Sequence, residues 1–310
     1  MAKTHTFEPT QNKDLDRVVD RNGDWKNYFY KSSEKFLRSV NNILDEGYAK
    51  GIGFQKYLLS VSKEEAEKRL ESAGERGDRI HQAIVITLLE GKANRAIKVL
   101  AEDGKSETVL LNDEWDSLLS FAEFWNRHEA ELILQELSVF NLSTGYAGTL
   151  DAIIKLTKNC GVKTCKCDEM IGKVGLVDWK SSGAIYNSYG CQVAAYAKGE
   201  NLEVKIDYTG IVRLGTRHKT TGGYEFVVYN AEETELNFAG FLAAKFIADK
   251  DYKEFTMDDI FDVPDAFELL KPKENKVKEV KPEPKPKKKR GRPKKVSKKN
   301  GKNGKNGTNK

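Results

Sequence analysis

Gly175-Leu176-Val177-Asp178-Trp179-Lys180-Ser181-Ser182 is a short apolar run that ends in charge, and its reading decides the rest of the chain. Its residue types fit a pleated sheet, which predicts a strand over Val174 to Lys180. Residues two apart in a strand share a face, so Asp178 and Lys180 project together while Val177, Trp179 and Ser181 project oppositely. Upstream, Gly145-Tyr146-Ala147-Gly148-Thr149-Leu150-Asp151-Ala152-Ile153-Ile154 predicts a neighbouring strand, Gly148 to Leu156, that carries Asp151 toward the same point. Two carboxylates make a hard oxygen site suited to Mg²⁺ or Mn²⁺, and a lysine beside them can orient or activate a water. An isolated Asp-x-Lys is more often an exposed ion pair on an edge strand. What else converges on the point separates the two.

Working outward, further strands are expected over Leu132 to Val139, 205–214 and 224–229. One helix is predicted from Ser33 through Phe36, Leu37, Val40 and Ile43 to Gly47. A second follows Ser62-Lys63-Glu64-Glu65, which has the form of a capping box, and runs past Gly77 and His81 to Gly91. A third opens at Asn112 or Asp113 and carries Trp115, Phe121 and Trp125 as packing residues. Tyr189 to Ala197 and Glu232 to Ile247 complete the helices. Residues 1 to 30 show no clear periodicity and carry no assignment, and the helices that follow them lead to the expectation that the first 130 residues are mainly helical. The whole is an α/β chain, with helices around one mixed sheet. Gly77 and His81, and Gln192 and Tyr196, are each four apart and share a helix face, and the small Gly77 is read as allowing close approach where the imidazole points.

Of 310 residues 39% are apolar, enough for one large core or two small ones, which excludes a wholly disordered protein. No run approaches the roughly 20 apolar residues of a membrane span, and the N-terminus lacks a secretory apolar stretch. A cytoplasmic protein with no membrane partner is expected. The net charge of +5 is unevenly spread: residues 271–310 hold 18 Lys or Arg against three Glu, whereas residues 1–270 hold 34 basic and 44 acidic side chains. That Lys- and Pro-rich tail cannot bury enough apolar surface to offset its ordering entropy and is expected to be disordered. Cys160, Cys165, Cys167 and Cys191 are read as reduced thiols in a reducing compartment, and His128, without a partner at ligand spacing, as a surface histidine.

Four elements in order, Gly77 to His81, Gly148 to Asp151, Asp178-Trp179-Lys180-Ser181 and Gln192 to Tyr196, resemble the PD-(D/E)XK nuclease superfamily, specifically its RecB-like exonuclease branch. Within that branch the chain looks most like the mitochondrial genome-maintenance and phage exonucleases. The resemblance spans roughly residues 75 to 200. It implies a restriction-endonuclease-like mixed central sheet flanked by helices, divided as an N-terminal mainly helical region (1–74), a nuclease core (75–270) and the tail (271–310). It further implies Mg²⁺ or Mn²⁺ held by Asp151 and Asp178, helped by His81 and the main-chain carbonyl of Trp179. Lys180 would position the attacking water and steady developing charge, and Gln192 and Tyr196 would position the site or contact the nucleic-acid backbone. Glu136 matches an acidic position upstream of Gly-x-x-Asp in several relatives. The spacing of Cys160, Cys165 and Cys167 matches neither a zinc-binding pattern nor that of relatives that hold an iron–sulfur cluster, so reduced thiols rather than a zinc or iron–sulfur site are expected.

The implied activity is metal-dependent hydrolysis of DNA phosphodiesters, exonucleolytic and at single-stranded ends, in replication, recombination or repair. A structure-specific endonuclease uses the same four elements. A non-catalytic DNA-binding protein acting through the tail is the reading from a different class. Lys289-Arg290-Gly291-Arg292-Pro293-Lys294 has the form of an AT-hook, whose arginines enter a narrow A·T minor groove, and equally of a nonspecific polybasic tether or a nuclear localisation signal. No phosphate-binding Gly-x-x-x-x-Gly-Lys-Ser/Thr loop is present, so the chain is expected either to work alone on accessible ends or to depend on a separate helicase or single-strand-binding protein.

Overall fold

Alternation in the decisive stretch is realised: Val177 and Trp179 enter one apolar core, Leu176 the other, and the strand they form is buried on both faces. The computed structural model describes residues 2–20, 26–101, 104–162, 165–215, 223–260 and 262–263. The N-terminal half contains β1 (Ala2–Lys3), β2 (His5–Pro9), β3 (Leu15–Asp20), β4 (Lys26–Tyr30), β5 (Lys35–Ser39), α1 (Val40–Gly47), α2 (Ile52–Ser60), α3 (Lys63–Glu90), β6 (Lys98–Leu100), β7 (Glu107–Val109) and α4 (Asn112–His128). There follow β8 (Glu131–Asn141), β9 (Tyr146–Lys155), β10 (Val174–Lys180), α5 (Asn187–Ala197), β11 (Tyr208–Arg213), β12 (Glu225–Tyr229), α6 (Ala231–Ala248) and β13 (Asp262–Val263).

The sheet runs β12-β11-β10-β9-β5-β4-β3-β2, and β8 lies along the other edge of β9. It is mixed, because β10 pairs with β11 and β5 with β9 in parallel while the other pairs are antiparallel. On one face α3 and α4 bring Ile80, Ile84, Phe121 and Phe124 onto Ala152, Ile154, Val177 and Val212. On the other, α1, α5 and α6 bring Ile43, Val193 and Phe241 onto Leu150, Ile153, Leu176 and Ile211. Each fully buried Val, Leu, Ile or Phe among them contributes about 1.5–3 kcal/mol of transfer free energy, which holds both helical layers to the sheet. Among the described residues no helix is long and apolar enough to cross a membrane.

The expectation of a mainly helical start is corrected. Residues that lack helical periodicity near the N-terminus form the antiparallel meander β2 to β4, and the stretch expected to be helical from Ser33 is strand β5 until Val40. Phe36 and Leu37 have a spacing compatible with a helix, but β5 pairs with β4 and β9 while Leu37 packs on Leu15, Tyr28, Phe140 and Ala147. Burial and pairing outweigh a weak local preference. These strands extend the same sheet as the core, and residues 1–265 form one compact unit. At α3 only half of the expected capping box exists: Ser62 Oγ accepts from Glu65 N at 3.2 Å, while the Glu65 carboxylate pairs with Arg69 at 2.6 Å. The disordered tail and the Lys289 to Lys294 segment read from sequence lie outside the described residues.

Candidate metal centre

The antiparallel ladder between β9 and β10 runs from Lys155↔Val174 to Ala152↔Val177, and continuing its register sets Asp151 opposite Asp178. The ladder stops there. Asp151 Oδ2 instead accepts from Trp179 N at 2.8 Å, so a side chain replaces the backbone acceptor where the strands part. On the same edge of β9 the next strand, β5, meets only Tyr146 and Ala147, which leaves Gly148 to Asp151 without a ladder partner there among the described residues. The candidate site occupies this opening.

Across the other edge, β8 pairs Gln135 with Ala152 and Leu137 with Leu150, so Glu136 stands opposite Asp151. That alignment follows from an irregularity between Leu132 and Leu134, where the extra residue Ile133 shifts the register by one. Without it Gln135 would face Asp151, and Glu136 would point to the other side of the sheet. Glu136, Asp151 and Asp178 therefore form a row across three adjacent strands. Glu136 also holds φ at +52°, a left-handed conformation that costs an L residue about 1–2 kcal/mol.

Helix α3 supplies His81. Its Nδ1 lies 3.4 Å from Asp151 Oδ1, and its Nε2 donates to the Trp179 carbonyl at 2.9 Å. Two residues earlier Arg79 donates from Nε and Nη2 to Oε1 of the fully buried Glu114, at 2.9 and 2.7 Å, which locks α3 to α4 and fixes the imidazole's approach. Lys180 Nζ lies 2.6 Å from Asp178 Oδ2 and 4.9 Å from the centre of the Tyr189 ring. One atom of each of His81, Glu136 and Asp151 falls within 4.8 Å of the others, a spacing that a single cation can bridge.

Charge is crowded here, and the acidities record it. Burial, then the Asp151 charge, raise the Asp178 pKa to about 6. The same two causes raise Glu136 to about 7. Burial works against a charge on His81, but Asp151 and Asp178 together raise it to about 9, so the ring is an imidazolium at neutral pH. Burial likewise opposes ionisation of Asp151, but the His81 and Lys180 charges hold it below the usual carboxylate range. Lys180 is raised despite its burial, by Asp178 and Asp151, and is a cation rather than a base.

Gln192 and Tyr196 are brought to the site as buttresses. Both are buried, Gln192 Nε2 donates to Tyr196 Oη at 3.1 Å, and the Tyr196 ring lies against the backbone of β9. A Cβ at Gly148 would come within 2.4 Å of Tyr196 Cε1, which explains the glycine three residues before Asp151. Gly148→Ala is expected to destabilise the protein by about 1–3 kcal/mol in urea unfolding, because the ring is enclosed and cannot withdraw. Gly77 differs from its expected role: a Cβ there would meet only Ser181 Oγ, at 3.9 Å, so no close approach requires the glycine. Gly77→Ala is expected to stabilise by about 0.5–1 kcal/mol in the same measurement, the ordinary helix preference.

Two residues of the site escaped the sequence reading. Arg76 donates to the Ser181 carbonyl at 2.8 Å and pairs with Asp113 at 2.7 Å, tying α3 to the end of β10. Tyr189 faces Lys180. Each is sequence-adjacent to a named motif, Arg76 beside Gly77 and Tyr189 three residues before Gln192, and that adjacency was the available signal.

The two carboxylates and one imidazole that come within 4.8 Å of one another, Glu136, Asp151 and His81, suit a hard divalent cation, and Asp178, paired with Lys180, is not in that group. Two features fit such an ion. Asp178 Oδ2 is buried against the Lys180 ammonium, 2.6 Å away, and the row of acids carries more negative charge than the two cations beside it balance well. His81 can keep its Nε2 hydrogen bond to the Trp179 carbonyl while Nδ1, on the Asp151 side, serves as the ligand once it has lost its proton. No family model and no curated protein matches the chain.

Proposed function

We propose that this chain is a metal-dependent DNA exonuclease of the PD-(D/E)XK superfamily, in its RecB-like branch. The observation that carries the reading is the row of Glu136, Asp151 and Asp178 at the point where β9 and β10 separate, with Lys180 beside it. Surface ion pairs have no reason to align three buried or half-buried acids, since like charges opposite one another in a sheet are destabilising. A mixed sheet flanked by helices agrees with the same reading. The order of His81, Asp151, Asp178-Trp179-Lys180 and Gln192-Tyr196 along the chain supports it.

Asp151, Asp178 and Glu136 would hold Mg²⁺ or Mn²⁺, with His81 and the Trp179 carbonyl as further ligands. When bound, the ion polarises a phosphodiester oxygen and makes a nearby water easier to deprotonate. Lys180, charged and fixed between Asp178 and Tyr189, donates from Nζ to the attacking water or to a phosphate oxygen and offsets charge that grows on phosphorus. Gln192 and Tyr196 hold the β9 backbone, and so Asp151, in position. Nothing in this chemistry calls for a covalent intermediate on the protein. The basic tail would add phosphate contacts to those of the net-acidic body, so DNA binding should weaken steeply with salt.

End-labelled linear DNA and covalently closed circles, incubated with the full chain in Mg²⁺, test the reading. The linear substrate is expected to shorten from its ends while the circle persists. Efficient nicking of the circle would replace the exonuclease by a structure-specific endonuclease built on the same residues.

A further inference from the structure

The chain contains a second, chemically different constellation, at the far end of the β9–β10 pair from the acids. His128, the last residue of α4, and Cys160, Cys165 and Cys167, in the connection from 156 to 173, bring one ligand atom each to a point where all four lie within 4.8 Å of one another. Cys160 Sγ and Cys167 Sγ are 3.4 Å apart, and all four cysteines of the chain are free thiols. His128 is not the surface residue that the sequence suggests: it is fully buried, in ring contact with Phe124 at 4.6 Å. Its Nδ1 is 2.8 Å from the Phe124 carbonyl, which can only accept, so the proton sits on Nδ1. Nε2 is left as a buried lone pair with no hydrogen-bond partner. A metal-binding histidine has this arrangement, one ring nitrogen donating to a carbonyl and the other presented bare.

We propose that His128, Cys160, Cys165 and Cys167 form a structural site for one Zn²⁺. A tetrahedral zinc with bonds of about 2.3 Å to sulfur and 2.0 Å to nitrogen separates its ligands by about 3.5–3.8 Å, within the spacing found. Four protein ligands fill the tetrahedron and leave no position for a substrate, so the role is structural. A multinuclear iron–sulfur cluster interposes its own sulfides and needs its cysteines spread wider. On binding, the three thiols lose their protons to solvent and form three Zn–S bonds, His128 donates its Nε2 pair, and the centre carries a net charge of −1. No oxidation state changes. The ion would clamp a long connection, whose described part contains the short 3-10 turn Lys166–Met170 and a single bridge between Leu156 and Ile171, onto the end of α4. This conclusion does not depend on the nuclease reading, because its ligands are soft and distant from the acids in the connection rather than in the opening of the sheet.

Full-length protein from zinc-supplemented growth, dialysed without chelator, is expected to contain about one zinc per chain, released when a mercurial blocks the thiols. Cys160→Ser/Cys167→Ser is expected to reduce the zinc more than tenfold, and Cys191→Ser, which alters the cysteine outside the cluster, to leave it unchanged. Because the double variant removes two buried side chains, unaltered protein stripped of zinc is also titrated with Co²⁺. A saturable thiolate-to-cobalt charge-transfer band with tetrahedral visible bands, at one ion per chain, is expected. Zinc below a tenth of an ion per chain together with no cobalt band would overturn the assignment, as would iron in its place or zinc retained in the double variant.

Discussion

Asp178→Asn is expected to lower Mg²⁺-dependent DNA cleavage about 10³-fold while leaving DNA binding within twofold. The substitution keeps shape and removes one negative charge from a residue that is 1% exposed and sits opposite Asp151 where the ladder ends. A cation held by several carboxylates contributes several kcal/mol of charge stabilisation in the transition state, and each 1.36 kcal/mol is a factor of ten. Lys180 also loses its 2.6 Å partner and with it the fixed placement of Nζ. Binding should survive, because the phosphate contacts assigned to the basic tail are untouched. Single-turnover cleavage of end-labelled DNA, with filter binding in Ca²⁺, checks both halves. Cleavage that persists undiminished at low enzyme concentration would mean a contaminating activity, and the chain would then be read as a DNA-binding protein.

Glu136→Gln should do two opposite things: weaken cleavage by about 10²-fold and make the Mg²⁺-free protein more stable at pH 8. The carboxyl has its pKa raised to about 7 by burial and by Asp151. Its folded value lies above its unfolded one, so the unfolded chain releases the proton first and stability falls as pH rises from the ordinary glutamate range through 7. Above that the full penalty applies. At about 1.4 kcal/mol per pK unit, discounted because the side chain is only half-buried, removing the charge should gain about 1–2 kcal/mol. His81 adds to the same trend: its pKa is raised to about 9, so its stabilising charge is complete below its ordinary value and is lost as pH rises through 9. Thermal unfolding after dialysis to remove Mg²⁺, at pH 5.5 and 8, measures this. The parent should lose stability between the two pH values, and Glu136→Gln should lose less of it. A variant that melts at or below the parent at pH 8 would remove Glu136 from the charged row.

Much of this site was legible in one dimension. The period of two in Val174 to Lys180 forces Asp178 and Lys180 to one side of a strand, and the structure has them paired. The four-residue spacing of Gln192 and Tyr196 likewise forces a shared helix face, and they are hydrogen-bonded. The β-strand start of the chain was not legible, because the amides of β5 find their partners in β4 and in β9, more than a hundred residues downstream. Nor was the cysteine–histidine cluster, since His128 belongs to a helix and reaches the thiols only when the β9–β10 connection folds back over its end.

Local periodicity thus settled which side chains share a face of β10 and α5, though not of β5, and composition settled that the basic charge is concentrated in the last forty residues. Tertiary structure alone decided how the faces of different elements meet. The extra residue at Ile133 turns Glu136 rather than Gln135 toward Asp151, and the parting of β9 from β10 opens the space between Asp151 and Asp178. Both depend on register between strands, and register is set by which side chains the whole core can bury, a quantity that no single segment contains.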